Sequence, residues 1–231
     1  MTTRARRRPA LLLLAAAAGL AASTSRPASA QREDSPAALV PARPGSAAFD
    51  ALAARLRAGG VVLYLRHAAT DGMPCDRTFR VGDREGQRNL SPEGRAQAAA
   101  LGPALAALGV PVARPVLAGP VFRARDTAEL AFGAEAVRVI DELLADDYAG
   151  GRLAWVLDAH RALLSAPVPP GEVRVLVGHR TPAIMVAGPR LGGRALPEGS
   201  GAVVAPLGGS RFEVLGVLAP VPAPGGGFHG C

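Results

Sequence analysis

Lysine is absent: all 26 basic residues of this 231-residue chain are arginine. Such a bias belongs to composition, and it warns against reading meaning into any single arginine. Aromatic residues make up only 4% of the sequence, so Ala, Leu and Val must fill the interior. Cysteine occurs twice, at Cys75 and Cys231, and neither has metal-ligand spacing to another cysteine. In an oxidising compartment the two could pair, and the sequence leaves that open. No P-loop, Gly-rich dinucleotide motif or HExxH zinc motif occurs, so no cofactor and no metal is expected. The apolar run from Leu11 to Ala22 spans 12 residues, too few for a transmembrane helix, which needs about 20.

A formal net charge of +7 suggests a nucleic-acid partner, but most of that charge is local. Arg4, Arg6, Arg7, Arg8 and Arg26 lie in the first 30 residues, which contain no acid. Setting these five aside leaves 21 basic against 19 acidic residues, a net of +2. Nucleic acid is thereby excluded as an expected partner. The same residues read as an export signal: a basic start, the apolar run, then Ala28-Ser29-Ala30 as a small-residue cleavage pattern before Gln31. The expected product is periplasmic or secreted. Because Gln31, and not a cysteine, stands directly after the cleavage site, no stable membrane anchor is expected. The adjacent arginines leave the twin-arginine and general export routes both open. Residues 31–45, polar and Pro-rich, read as a flexible leader, residues 46–220 as one domain and residues 221–231 as a Pro/Gly-rich tail. Oligomeric state is left open.

The domain is organised around VVLYLRHAAT, Val61 to Thr70. Its β-branched and apolar residues predict a buried strand, which stops on Arg66 and His67 before a polar loop. Ligands of open α/β sheets bind outside the carboxyl ends of the strands, so these two side chains are expected at the mouth of a site. A forked permanent cation beside an imidazole suits capture of an anion, phosphate above all. Alone, the dipeptide fits two solvated residues at a strand end equally well.

Helical spacing over Ala47–Ala58 ends at Gly59-Gly60. Asp71–Arg88 is charged and Gly-containing, and reads as a long loop over the site. Ser91 as N-cap and Pro92 as first helical residue begin a helix that reaches Leu108. Further strands are predicted at Val116–Ala118, Val137–Ile140 and Val173–Val177. Helices are predicted from Gly119-Pro120 through Phe132, over Leu153–Leu164, and from His179 onward. An acidic turn, Asp141–Asp147, follows the third strand, and Ala202–Pro206 with Phe212–Leu218 form a closing strand pair. This rhythm predicts a single α/β domain with a mostly parallel central sheet flanked by helices.

Four stretches in order, VVLYLRHAAT, NLSPEGRAQAAALG (Asn89–Gly102), GPVFRARDTA (Gly119–Ala128) and VLVGHRTPAI (Val175–Ile184), resemble the motifs of the histidine phosphatase superfamily, the phosphoglycerate-mutase-like enzymes. The resemblance spans roughly Val61 to Pro220. It implies that His67 is a nucleophile that becomes phosphohistidine, and that Arg66, Arg123 and His179 bind the phosphate. It selects Arg123 over Arg125 and leaves Arg125 on a solvated face. It implies a carboxylate acid after the third strand, at Asp146, with Asp147 beside it and Asp71 as a rival. Two departures stand out: Gly119 replaces a common Ser, and Arg180 follows His179, where it could add an anion contact. His160 and His229 are expected at the surface.

The leading expectation is therefore an exported phosphomonoesterase of the histidine acid phosphatase type, acting on a small phosphorylated molecule. A phosphoglycerate-mutase-like phosphotransferase and a non-catalytic phosphate-binding protein are the alternatives. An export signal disfavours the first, and a retained nucleophile disfavours the second.

Overall fold

Val61–Arg66 forms the strand β1, and all six of its residues are buried. This is a computed structural model in which residues 1–2 and 37–229 are described. By their contacts the residues form two units, Met1–Glu33 and Asp34–Cys231, and of the first only Met1 and Thr2 are described. The expected export signal, its cleavage point and Cys231 thus lie outside the described residues.

Before β1 stands α1 (Ala47–Ala58), capped by the Ser46 side chain, which accepts from the Phe49 amide at 3.2 Å. After it come α2 (Pro92–Ala107), β2 (Val116–Ala118), α3 (Phe122–Phe132), β3 (Val137–Val139) and a one-turn helix α4 (Asp146–Ala149). Then follow α5 (Leu153–Ser165), β4 (Val173–Gly178), α6 (Arg180–Ala187), β5 (Gly201–Gly208) and β6 (Arg211–Leu218). The six strands form one sheet in the order β3-β2-β4-β1-β5-β6. Pairings from β3 through β1 are parallel, and β5 and β6 add antiparallel strands at one edge. The fold is the expected α/β domain with a mostly parallel sheet.

Alternation along β1 explains the layers. Val61, Leu63 and Leu65 pack into a cluster with Phe49 and Leu56 of α1, Leu105 of α2 and Ala124 of α3. Val62 and Tyr64 face a second cluster containing Leu164 of α5 and Ala183 of α6. A strand covered on both faces needs a continuous apolar run, which the sequence supplies. Leu63 is fully buried, and its truncation to Ala should cost about 2–5 kcal/mol.

Two expectations change. Residues 37–45 are not simply a leader: Leu39 N donates to Arg190 O, and Ala42 bridges to Leu218 with hydrogen bonds to Val217 and Ala219. Backbone pairing to the sheet edge holds this stretch, which its Pro-rich composition did not signal. The acidic turn is also more ordered than expected, forming a 3-10 turn at Asp141–Leu143 and then α4. Elsewhere the predicted helices and strands occur with ends shifted by a few residues; α3, for example, begins at Phe122. The loop from Asp71 to Arg88 carries no helix or strand. Its own side chains brace it: Thr78 Oγ1 donates to Asp83 at 2.7 Å, and Gln87 Nε2 donates to Arg80 O at 2.7 Å. Two bonds from Arg84 to Asp126, at 2.6 and 2.8 Å, fasten it to α3.

Candidate active site

Strand register brings the two histidines together. Arg66 of β1 stands opposite Gly178 of β4, so the next residue on each strand, His67 and His179, leaves the sheet at the same edge. Their ring centroids are 5.5 Å apart. Ala118 of β2 stands opposite Val177, and α3 begins four residues later, which carries Arg123 to the same edge. Arg66, His67, Arg123 and His179 line one cavity of about 350 Å3. All four side chains are buried. Arg125 points away, pairing with Glu129 at 2.7 Å on the exposed side of α3.

Glycine is required at two of the junctions. A Cβ on Gly178 would lie 2.4 Å from the Tyr64 hydroxyl, and one on Gly119 would lie 2.2 Å from Leu143 O. Gly119 thus stands where a serine is common because the turn leading to α4 passes directly over it. The Gly178 space is used by Tyr64, whose hydroxyl donates to His179 O at 2.9 Å and accepts from His179 N at 3.0 Å. His179 is therefore held by its backbone, leaving its ring for the cavity.

The nucleophile candidate has an assigned tautomer. His67 Nδ1 lies 2.8 Å from Ala68 O. A carbonyl can only accept, so Nδ1 carries the proton and the Nε2 lone pair is free. Burial, then Arg66, Arg123 and His179, holds the His67 pKa well below the usual imidazole value. Burial and Arg123 do the same for His179. Both rings are neutral near pH 7, which suits a nucleophile.

Each arginine is anchored from behind. Arg66 Nη1 donates to Leu196 O at 3.0 Å and Gly227 O at 3.1 Å, and Nη2 reaches Glu198 at 3.4 Å. Burial lowers its pKa to about 10, with Glu198 opposing, so it remains a cation. Arg123 Nη1 donates to both oxygens of Asp76, at 3.0 and 3.2 Å. Arg66 Nε, Arg123 Nε and His179 Nε2 are buried and have no hydrogen-bond partner among the described residues. Arg180 Nε, at the same cavity, is in the same state, and such nitrogens around one cavity would be costly in a site that never receives an acceptor.

Asp146 and Asp147 line the cavity, and so does Asp76. Asp71 is exposed and is not among the lining residues. The Asp147 carboxyl is pushed above its usual range, first by desolvation against the cleft wall, then by Asp146 and Asp76, with Arg123 opposing. Arg88 and Arg180 also line the cavity, so Arg180 sits where an added anion contact was expected.

Sequence reasoning missed Tyr64, Asp76, Glu198 and Arg88. It also misplaced two histidines. His160 is fully buried, with Nδ1 donating to Val156 O at 2.9 Å, because α5 packs on the sheet behind Tyr64. His229 lies at the cavity, 2.6 Å from Glu198. Cys75 lines the cavity as well and is disulfide-bonded; the other cysteine, Cys231, is outside the described residues.

Among the described residues no group of three or more His, Cys, Asp or Glu side chains could hold a metal ion. Among them too, no helix is long and apolar enough to cross a membrane.

Residues 62–152 match the family model of the histidine phosphatase superfamily (branch 1). No curated protein matches the chain. Among solved structures, it is similar to the protein histidine phosphatase SixA complexed with tungstate, at 20% identity over 69% of this chain and 97% of that one, with a TM-score of 0.46. It is similar to the putative phosphohistidine phosphatase SixA from Agrobacterium tumefaciens, at 22% identity over 70% and 99%, with a TM-score of 0.41. A third likeness is to the mycobacterial glucosyl-3-phosphoglycerate phosphatase, at 22% identity over 68% and 97%, with a TM-score of 0.45.

Proposed function

We propose that this chain, residues 62–152 of which match the histidine phosphatase superfamily model, is a member of that family and hydrolyses phosphate monoesters through a phosphohistidine on His67. The observation that carries the reading is that Arg66 Nε, Arg123 Nε and His179 Nε2, among the buried nitrogens without a partner at this cavity, stand beside a neutral imidazole with a free Nε2. A phosphoryl group offers acceptor oxygens for those nitrogens and an electrophilic phosphorus for that lone pair.

In the proposed first step the His67 Nε2 lone pair forms a bond to phosphorus as the ester P–O bond breaks and its electrons leave with the alkoxide. Asp147, with its raised carboxyl, donates the proton the alkoxide takes up. Asp146, on the same wall, is the competing donor. Water then attacks the phosphohistidine; the carboxylate takes its proton, and Nε2 leaves with its electron pair restored. Arg66, Arg123 and His179 hold the phosphoryl oxygens through both steps.

We further propose that the protein works outside the cytoplasm, where its basic and apolar first 30 residues would direct it. A screen of alkyl and aryl phosphates with the mature chain tests the activity: wild type should release phosphate from at least one ester class, and His67→Ala from none. Phosphate release by His67→Ala at the wild-type rate would overturn the mechanism.

A further inference from the structure

Phe228 and His229 line the same cavity, although composition alone marks residues 221–231 as a Pro/Gly-rich tail. The Gly227 carbonyl accepts from Arg66 Nη1 at 3.1 Å and from Glu198 N at 3.0 Å. The Phe228 ring centroid lies 5.4 Å from the Arg66 guanidinium carbon, with Arg194 at 4.8 Å and Arg180 at 5.7 Å. His229 Nδ1 lies 2.6 Å from Glu198 Oε2.

Glu198 is the point where these contacts meet. It is fully buried, and a carboxylate out of water is costly unless its oxygens are filled. One oxygen takes Arg66 Nη2 at 3.4 Å and Thr70 Oγ1 at 3.1 Å, and the other takes His229 Nδ1. Arg66 lines the cavity with a buried Nε that has no hydrogen-bond partner among the described residues, and its pose is fixed from behind by Leu196 O, Gly227 O and Glu198. Removing His229 leaves the carboxylate free to turn toward Arg66 and to draw the guanidinium out of register with a phosphoryl group.

We propose that Glu198 and His229 are positioning residues for Arg66, so that the C-terminal segment 227–229 is a working part of the phosphate site. The inference rests on the phosphatase reading above. It assigns no chemistry to either residue: His229 orients Glu198, Glu198 orients Arg66, and Arg66 touches the phosphoryl group.

The test uses the mature chain with His229→Ala, His229→Asn and Glu198→Gln. The Asn amide nitrogen can donate where Nδ1 does. Affinity for inorganic phosphate is measured by titration calorimetry, and kcat and KM are measured with p-nitrophenyl phosphate. Loss of one hydrogen bond to a charged group should weaken phosphate about tenfold in His229→Ala and raise KM similarly, with kcat changed less. His229→Asn should restore most of the affinity, and Glu198→Gln should weaken phosphate at least as much as His229→Ala. A purely structural role for the tail would lower the unfolding midpoint without changing the affinity of the folded protein. Wild-type affinity and KM in His229→Ala would overturn the inference while leaving the phosphatase reading intact. A wild type that neither binds phosphate nor hydrolyses any ester would overturn both.

Discussion

The Tyr64 hydroxyl brackets the backbone of His179, donating to its carbonyl at 2.9 Å and accepting from its amide at 3.0 Å across 115 residues of sequence. One side chain inside β1 thereby fixes where β4 hands over to α6. Tyr64→Phe keeps the ring and removes both hydrogen bonds to the His179 backbone. That should cost about 1–3 kcal/mol and lower the unfolding midpoint by several degrees. Activity should fall with it, because His179 loses its anchor. Calorimetry and kcat/KM on one preparation check this; a Phe variant matching wild type in both would show that His179 is held by β4 alone.

The two arginines of α3 should separate cleanly. Arg123→Ala removes a cation from the cavity and leaves Asp76 buried without its partner, so kcat/KM should fall on the order of 10²-fold. Arg125→Ala breaks an exposed pair with Glu129 and should change little. Similar losses in both variants would contradict the placement.

The proton donor is tested by leaving group. An acid matters most for alkoxides and least for nitrophenolate, which leaves without a proton. Asp147→Asn should damage alkyl phosphate hydrolysis far more than aryl phosphate hydrolysis. If Asp146→Asn shows that pattern and Asp147→Asn does not, the role moves by one residue.

Much of this arrangement is legible in the sequence, and the rest fails for one physical reason. β1 announces itself by five consecutive apolar or aromatic residues, Val61 to Leu65, and α2 by its Ser91 cap and Pro92. Arg66, His67, Arg123 and His179 sit at strand ends and helix starts, where local pattern and topology locate them. Asp76 and Glu198 are different: their partners Arg123 and Arg66 are 47 and 132 residues away, and nothing in their neighbours signals the pairing. His160 sits in an ordinary amphipathic helix whose buried face only the tertiary packing reveals.

The pH response follows from the depressed imidazoles. His67, His179 and His160 have folded pKa values below the ordinary 6.5. Between those values and 6.5 the unfolded chain binds more protons, so their contribution to stability is present above pH 6.5 and is lost as pH falls below it. Imidazole proton NMR should show His67 and His179 neutral well below pH 6.5, with the His67 proton on Nδ1. A His67 titrating at 6.5 would mean that its ring is solvated rather than enclosed.

A covalent bond between His67 Nε2 and phosphorus lies at the centre of the proposed mechanism. Rapid quenching of wild type with a 32P-labelled monoester, followed by peptide mapping, tests it most directly. Label should appear on the peptide carrying His67, labile in acid and stable in base as a phosphoramidate is, and should disappear with activity in His67→Ala. Turnover without any such label, or an active His67→Ala enzyme, would contradict the account.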